Sequence, residues 1–215
     1  MKKSLIALAV AATLVAPVAM ADTSNVTVYG AANVSLDLAK SGNSGNDVGT
    51  NHVASNSSLI GFKGSEDLGG GLSAIFQVES GIDVDAGGNS LATRETFAGL
   101  KGDSWGAVKL GKLDTPYKNS TRGLDLFGDG IADNRSLMGD SVGSPFDRVA
   151  NALAYVSPSM SGISLAYAHV FGAETASATT DVKGKADSFA VMYDMAPFYA
   201  TVANQKTTYG TAGTG

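Results

Sequence analysis

The sequence predicts an all-β fold, antiparallel strands closing as a transmembrane β-barrel, and three observations predict it. Several segments of nine to thirteen residues alternate apolar with polar side chains. The connections between them are short at one end of the strands and long at the other. After the N-terminal segment, no stretch approaches the roughly 18 consecutive apolar residues of a membrane-crossing helix. A soluble sandwich shares the alternation, but it hides its apolar face against a second sheet and carries loops of similar length at both ends. Barrel strands of about ten residues, with lipid on one face, fit the unequal loops better. On pattern alone, an exported β-sandwich or surface adhesin that binds a partner through its long loops stays open as the alternative.

The first element is not part of the fold. Lys2 and Lys3 precede an apolar block from Leu5 to Val15, then Pro17 and the small-residue run Ala19-Met20-Ala21. A basic start, an apolar middle and an A-x-A site read as a secretory signal peptide over residues 1–21, with the mature chain starting at Asp22. The block is too short for a spanning helix of roughly 20 residues. This segment holds two of the 15 Lys and Arg and none of the 20 Asp and Glu, so removing it leaves 13 basic against 20 acidic residues. The acidic balance and the lack of a Lys/Arg cluster argue against nucleic acid as a partner. With no cysteine in the chain, neither disulfides nor thiolate chemistry can hold it or act in it.

The strands follow in order. From Val26 to Leu38 one parity carries Val26, Val28, Val34, Leu36 and Leu38, the other Thr27, Tyr29, Asn33, Ser35 and Asp37, which predicts a single two-faced strand. Leu72, Ala74, Phe76 and Val78 alternate with Ser73, Ile75, Gln77 and Glu79 in another. Further segments near 58–65, 93–101, 106–112, 148–156, 163–171, 187–194 and 198–208 bring the expectation to about nine strands. Gly69, Gly70 and Gly71 mark a tight hairpin turn. GDSWG, SPSMSG and DMAPF are the other short connectors; 41–56, 83–92 and 172–186 are long and polar.

Catalytic patterns are missing from the sequence. His52 and His169 do not have metal-ligand spacing, there is no G-x-S-x-G, the glycine triplet is not followed by Lys-Ser, and Glu66 and Asp67 point apart in a strand. No catalytic residue, metal or cofactor is assigned.

The segment GFKGSEDLGGGLSAIFQVES resembles the second strand, first periplasmic turn and third strand of Gram-negative general diffusion porins. TVYGAANVSLDLA resembles the family's first strand, RETFAGLKGDSWGAVKLGKLDTPY its fourth and fifth, and RVANALAYVSPSMSGISLAYA its sixth and seventh. The resemblance implies an outer-membrane barrel of 16 strands, a homotrimer, and passive diffusion of small polar solutes and ions. It also implies that a third loop, residues 114–147, folds into the pore. That loop holds Asp125, Asp129, Asp133 and Asp140 against Lys118, Arg122 and Arg135. Carboxylates there, facing basic wall residues, would set a transverse field at the constriction. Arg94 and Arg148 match basic wall positions, and Lys112 stands where Arg is usual, keeping the charge without the planar fork. Leu59 occupies a position that is often basic in the family. The chain ends TTYGTAGTG after about the ninth strand, without a terminal aromatic residue. The expectation is therefore an N-terminal portion of about half to two-thirds of the whole, which would not conduct by itself.

Overall fold

The computed structural model describes residues 25–40, 49–88, 90–126, 128–129, 148–172 and 185–208. Eleven strands follow one another: β1 (Val26–Ala31), β2 (Val34–Lys40), β3 (Gly49–Ser55), β4 (Leu59–Gly69), β5 (Leu72–Gly81), β6 (Thr96–Gly102), β7 (Gly106–Asp114), β8 (Arg148–Val156), β9 (Ile163–Val170), β10 (Lys185–Met195) and β11 (Phe198–Thr208). A short helix, α1 (Pro116–Arg122), follows β7 among the described residues. Nine strands form a single antiparallel sheet in the order β1-β4-β5-β6-β7-β8-β9-β10-β11. In that sheet every pair of neighbours is also next in sequence, apart from the β2–β3 hairpin inserted between β1 and β4.

Register places like with like. Val28 lies opposite Phe62 and Phe62 opposite Val78. Leu110 lies between Ala98 and Leu153, and Tyr167 between Tyr155 and Phe189. Alternate residues of a strand share a face, so these side chains form one continuous apolar surface. It is uncovered: Val28 is 63% exposed, Leu110 54%, Phe198 69% and Val202 74%. Among the described residues the only other sheet is the β2–β3 hairpin, so no second layer hides this face as a sandwich requires.

The opposite face carries Thr27 opposite Lys63, Lys63 opposite Gln77, and Tyr29 opposite Gly61, itself opposite Glu79. Farther along it runs a row of small residues, in which Ala154, Ala168 and Ser188 lie side by side. This inner face is the one that α1 covers, since the helix packs against β9, β10 and β11.

Connections are tight at one end only. Gly69, Gly70 and Gly71 all have positive φ, and the Asp67 carboxylate accepts from the Gly69 amide at 2.8 Å. At the next tight turn Gly106 has φ +96°, and a Cβ there would clash with the Val156 carbonyl oxygen. Gly106→Ala is expected to destabilise the sheet by about 1–3 kcal/mol, read as a lower unfolding temperature of the detergent-solubilised protein on gels.

Two expectations need correcting. The single strand from Val26 to Leu38 is broken at Ala32 and Asn33. The Asn33 carbonyl accepts from the Asn56 amide at 2.8 Å and the Ser58 hydroxyl at 3.0 Å, and these bonds replace the β1–β4 ladder there. Beyond the break, β2 pairs with β3, a strand within the segment expected to be a polar loop. Asn33, Ser35 and Asp37 therefore stand off the wall, whereas Thr27, Gln77 and Glu79 lie on its inner face. The expected nine strands are those of the main sheet, and the hairpin adds two.

Candidate functional site

Helix α1 starts where β7 ends because Thr115 is extended (φ −71°, ψ 152°) and Pro116 suits the first helical turn. The Thr115 hydroxyl accepts from the Lys118 amide at 3.3 Å, satisfying one of the free amides of the helix start. At the other end Thr121 donates its hydroxyl to the Tyr117 carbonyl, and Gly123 follows.

Small side chains on the wall make room for this helix. Ala168 and Ala190 are fully buried, and Ala152, Ala154, Ala166 and Ala186 nearly so. Leu113, Val149 and Phe97 pack against the alanines of this row. Two polar bonds fix the seat. The Ser188 hydroxyl accepts from the Tyr117 amide at 3.1 Å, and the Tyr199 hydroxyl of β11 donates to the Ser120 carbonyl.

Charge gathers at the base of the helix. Asp114 Oδ1 lies 2.8 Å from Lys118 Nζ and 3.1 Å from Arg148 Nε, with all three side chains at most 16% exposed. The Arg148 contact is an ion pair without hydrogen-bond alignment, since that Nε is buried and makes no hydrogen bond. Burial pushes the Lys118 ammonium below its ordinary pKa, and the Asp114 carboxylate acts against that shift. A second cluster lies beside the first: Arg94 is paired with Glu79, whose carboxylate also accepts from the Tyr29 hydroxyl at 2.9 Å. The charges of Arg94, Glu79 and Arg122 all act on Arg148.

The residues singled out from sequence fall as follows. Arg148 and Arg94 both sit on this face, Arg94 bound to Glu79 rather than to its neighbour Glu95. Lys112 lies at the bulge where β7 meets β8 and donates to the Thr93 carbonyl at 2.7 Å. Asp129 pairs with Arg122 at 3.1 Å just beyond the helix, and Asp125 follows the same turn. Asp133, like Asp140 and Arg135, lies outside the described residues, as do residues 1–24.

Sequence reasoning missed the helix, the burial of Lys118 and the bonds from Tyr199 and Ser188. One signal was available: in NALAYV, LAYAHV and ADSFAV the inward parity is alanine at position after position, which marks a surface that something covers.

The chain matches the family described as Gram-negative porin over residues 7–215. It is 33% identical over 221 residues to outer membrane porin protein 32 of Delftia acidovorans, covering 98% of this chain and 62% of that one. To the major outer membrane protein P.IB of Neisseria gonorrhoeae it is 37% identical over 135 residues, covering 60% of this chain and 37% of that one. Among solved structures, an anion-selective porin from Comamonas acidovorans superposes with TM-score 0.70 at 25% identity, over 86% of this chain and 58% of the other. A Salmonella typhi OmpF in complex with daunomycin superposes with TM-score 0.66 at 19% identity over 86% of this chain and 55% of that one, a likeness of fold. The chain thus spans between about a third and two thirds of the length of the curated relatives it matches.

Proposed function

Because this chain belongs to the Gram-negative porin family, we propose that the whole protein forms a water-filled channel in the outer membrane for passive diffusion of small hydrophilic solutes and ions. Its relatives are major outer membrane proteins and porins, and the family is one of channels rather than enzymes. The observation that carries the reading is the split between the two faces of the sheet. Alternate side chains from β1 to β11 present an exposed apolar surface suited to lipid, while the other face holds ion pairs and a seated helix suited to water.

In this reading α1 and the rest of residues 114–147 narrow the channel. Arg94, Arg148 and Lys112 are the basic wall, and Asp125, Asp129 and Asp133 the acidic loop. Asp114 ties the two together, since it bonds the wall through Arg148 and the loop through Lys118. Residues 1–21 act as the export signal. Three copies associate, as the resemblance to general diffusion porins implies.

The test is single-channel recording of the full-length protein in planar bilayers. Steady open-channel currents are expected, and Arg148→Ala should move the reversal potential toward cations by removing a positive charge from the narrow part, changing the permeability ratio roughly twofold or more. Recovery of the mature protein from the periplasm without detergent, or bilayers that stay silent, would refute the channel.

A further inference from the structure

A cavity of about 220 Å³ opens between α1 and the wall, lined among others by Glu95, Lys109, Asp114, Asn119, Leu113 and Met192. Its charges are unevenly used. Asp114 is engaged by Lys118 and Arg148. Glu95 and Lys109 are different: among the described residues neither forms an ion pair, although both line this space. Among the described residues the Glu95 carboxylate has one hydrogen-bond partner, the Gln77 amide nitrogen, at a long 3.4 Å. The Lys109 ammonium lies 4.4 Å from the centre of the Phe97 ring, a contact that holds the cation in place without neutralising it.

An acid and a base that face one cavity without meeting leave two opposite charges to be satisfied by whatever enters. Water satisfies them incompletely where the walls are apolar, as Leu113, Ala154, Ala166 and Met192 are here. A single ion could satisfy only one. A molecule with an ammonium at one end and a carboxylate at the other satisfies both. The volume is below the roughly 300–1,000 Å³ typical of sites for drug-sized ligands, which suits a solute the size of a small amino acid.

We infer that this cavity is a weak, saturable subsite for small zwitterionic solutes, with Glu95 taking the ammonium, Lys109 the carboxylate, and Asn119 offering its amide beside them. The inference rests on the channel reading and adds to it a preference by charge pattern rather than by size.

Its test is the flux of radiolabelled alanine and of lactamide, similar in size but uncharged, into vesicles holding the full-length protein. Both are measured in the same vesicles, so the number of channels cancels in the ratio. Alanine flux is expected to saturate while lactamide flux rises linearly. Glu95→Gln and Lys109→Met, each alone, should make alanine flux linear and lower the low-concentration alanine-to-lactamide ratio about threefold or more. The charge-swapped pair Glu95→Lys with Lys109→Glu restores both partners and should restore saturation. Linear alanine flux in the unaltered protein overturns the subsite and leaves the channel standing, as does saturation that survives both single variants. Absence of lactamide flux in the unaltered protein overturns both.

Discussion

Asp114→Ala is expected to release the helix from the wall and to shift the channel toward anions in the same measurement. In the native structure one carboxylate oxygen serves two cations, Lys118 at 2.8 Å and Arg148 at 3.1 Å, and the side chains of Asp114 and Lys118 are 9% and 5% exposed. Its removal leaves two buried positive charges facing each other with no counter-charge between them. Breaking a buried pair from one side costs about 3–5 kcal/mol, chiefly because the remaining charge is stranded. Two routes relieve that strain, and both can be observed. The helix can lift so that Lys118 reaches water, which should appear as flickering, noisy open-channel current. Alternatively the loop stays and the uncompensated charge adds to the field at the narrow part, moving the reversal potential toward anions. Asp114→Asn keeps the shape and loses the charge, so it should shift selectivity with less noise. An unchanged current trace and reversal potential in Asp114→Ala would mean that the carboxylate joins nothing functional.

The Asp114 cluster also indicates what sequence can and cannot reveal in such a chain. Period-two alternation separates the apolar row of Val28, Phe76 and Val78 from Thr27, Gln77 and Glu79 on the other face, because parity is a local property of a strand. The glycines at 69, 70 and 71 were legible for a similar reason, since three positive φ values in succession demand a particular residue type. Partnership was not legible. Arg94 matches a basic wall position, yet its acidic partner is Glu79, 15 residues earlier, because the end of β5 and the segment before β6 run side by side. The break after Ala31 was hidden as well. Alternation continues in phase from Val26 through Leu36, and only the competing bonds of Asn56 and Ser58 to Asn33 reveal that the ladder changes partner. Lys118 looked like any loop lysine, and its burial depends on a helix seat assembled from three distant strands.

That seat yields the other large effect. Ala168 of β9 and Ala190 of β10 are 0% exposed, and both lie on the wall face that carries Ser188, whose hydroxyl accepts the Tyr117 amide of the helix. Leucine at either position would occupy space that now belongs to the helix. The wall cannot retreat, because the backbone of each strand is bonded to neighbours on both sides. The helix must move instead, and its free direction is away from the wall. Overpacking a closed contact of this kind costs about 1–3 kcal/mol. The loss of the Ser188 and Tyr199 bonds, at about 0.5–1.5 kcal/mol each, would follow if the helix rises far enough. Ala168→Leu and Ala190→Leu should therefore lower single-channel conductance, because the displaced segment narrows the lumen, whereas Tyr199→Phe, which removes one tether and adds no bulk, should raise current noise and change mean conductance little. Leucine at an outward position of the same strand, as in Tyr167→Leu, controls for the chemistry of the substitution: it loses the Tyr167 hydroxyl's bond to Asp187 on the outer face but adds no bulk beneath the helix, and should leave conductance unaltered. If Ala168→Leu and Tyr167→Leu conduct alike, the helix does not rest on the alanine floor and the narrowing of the channel has another origin.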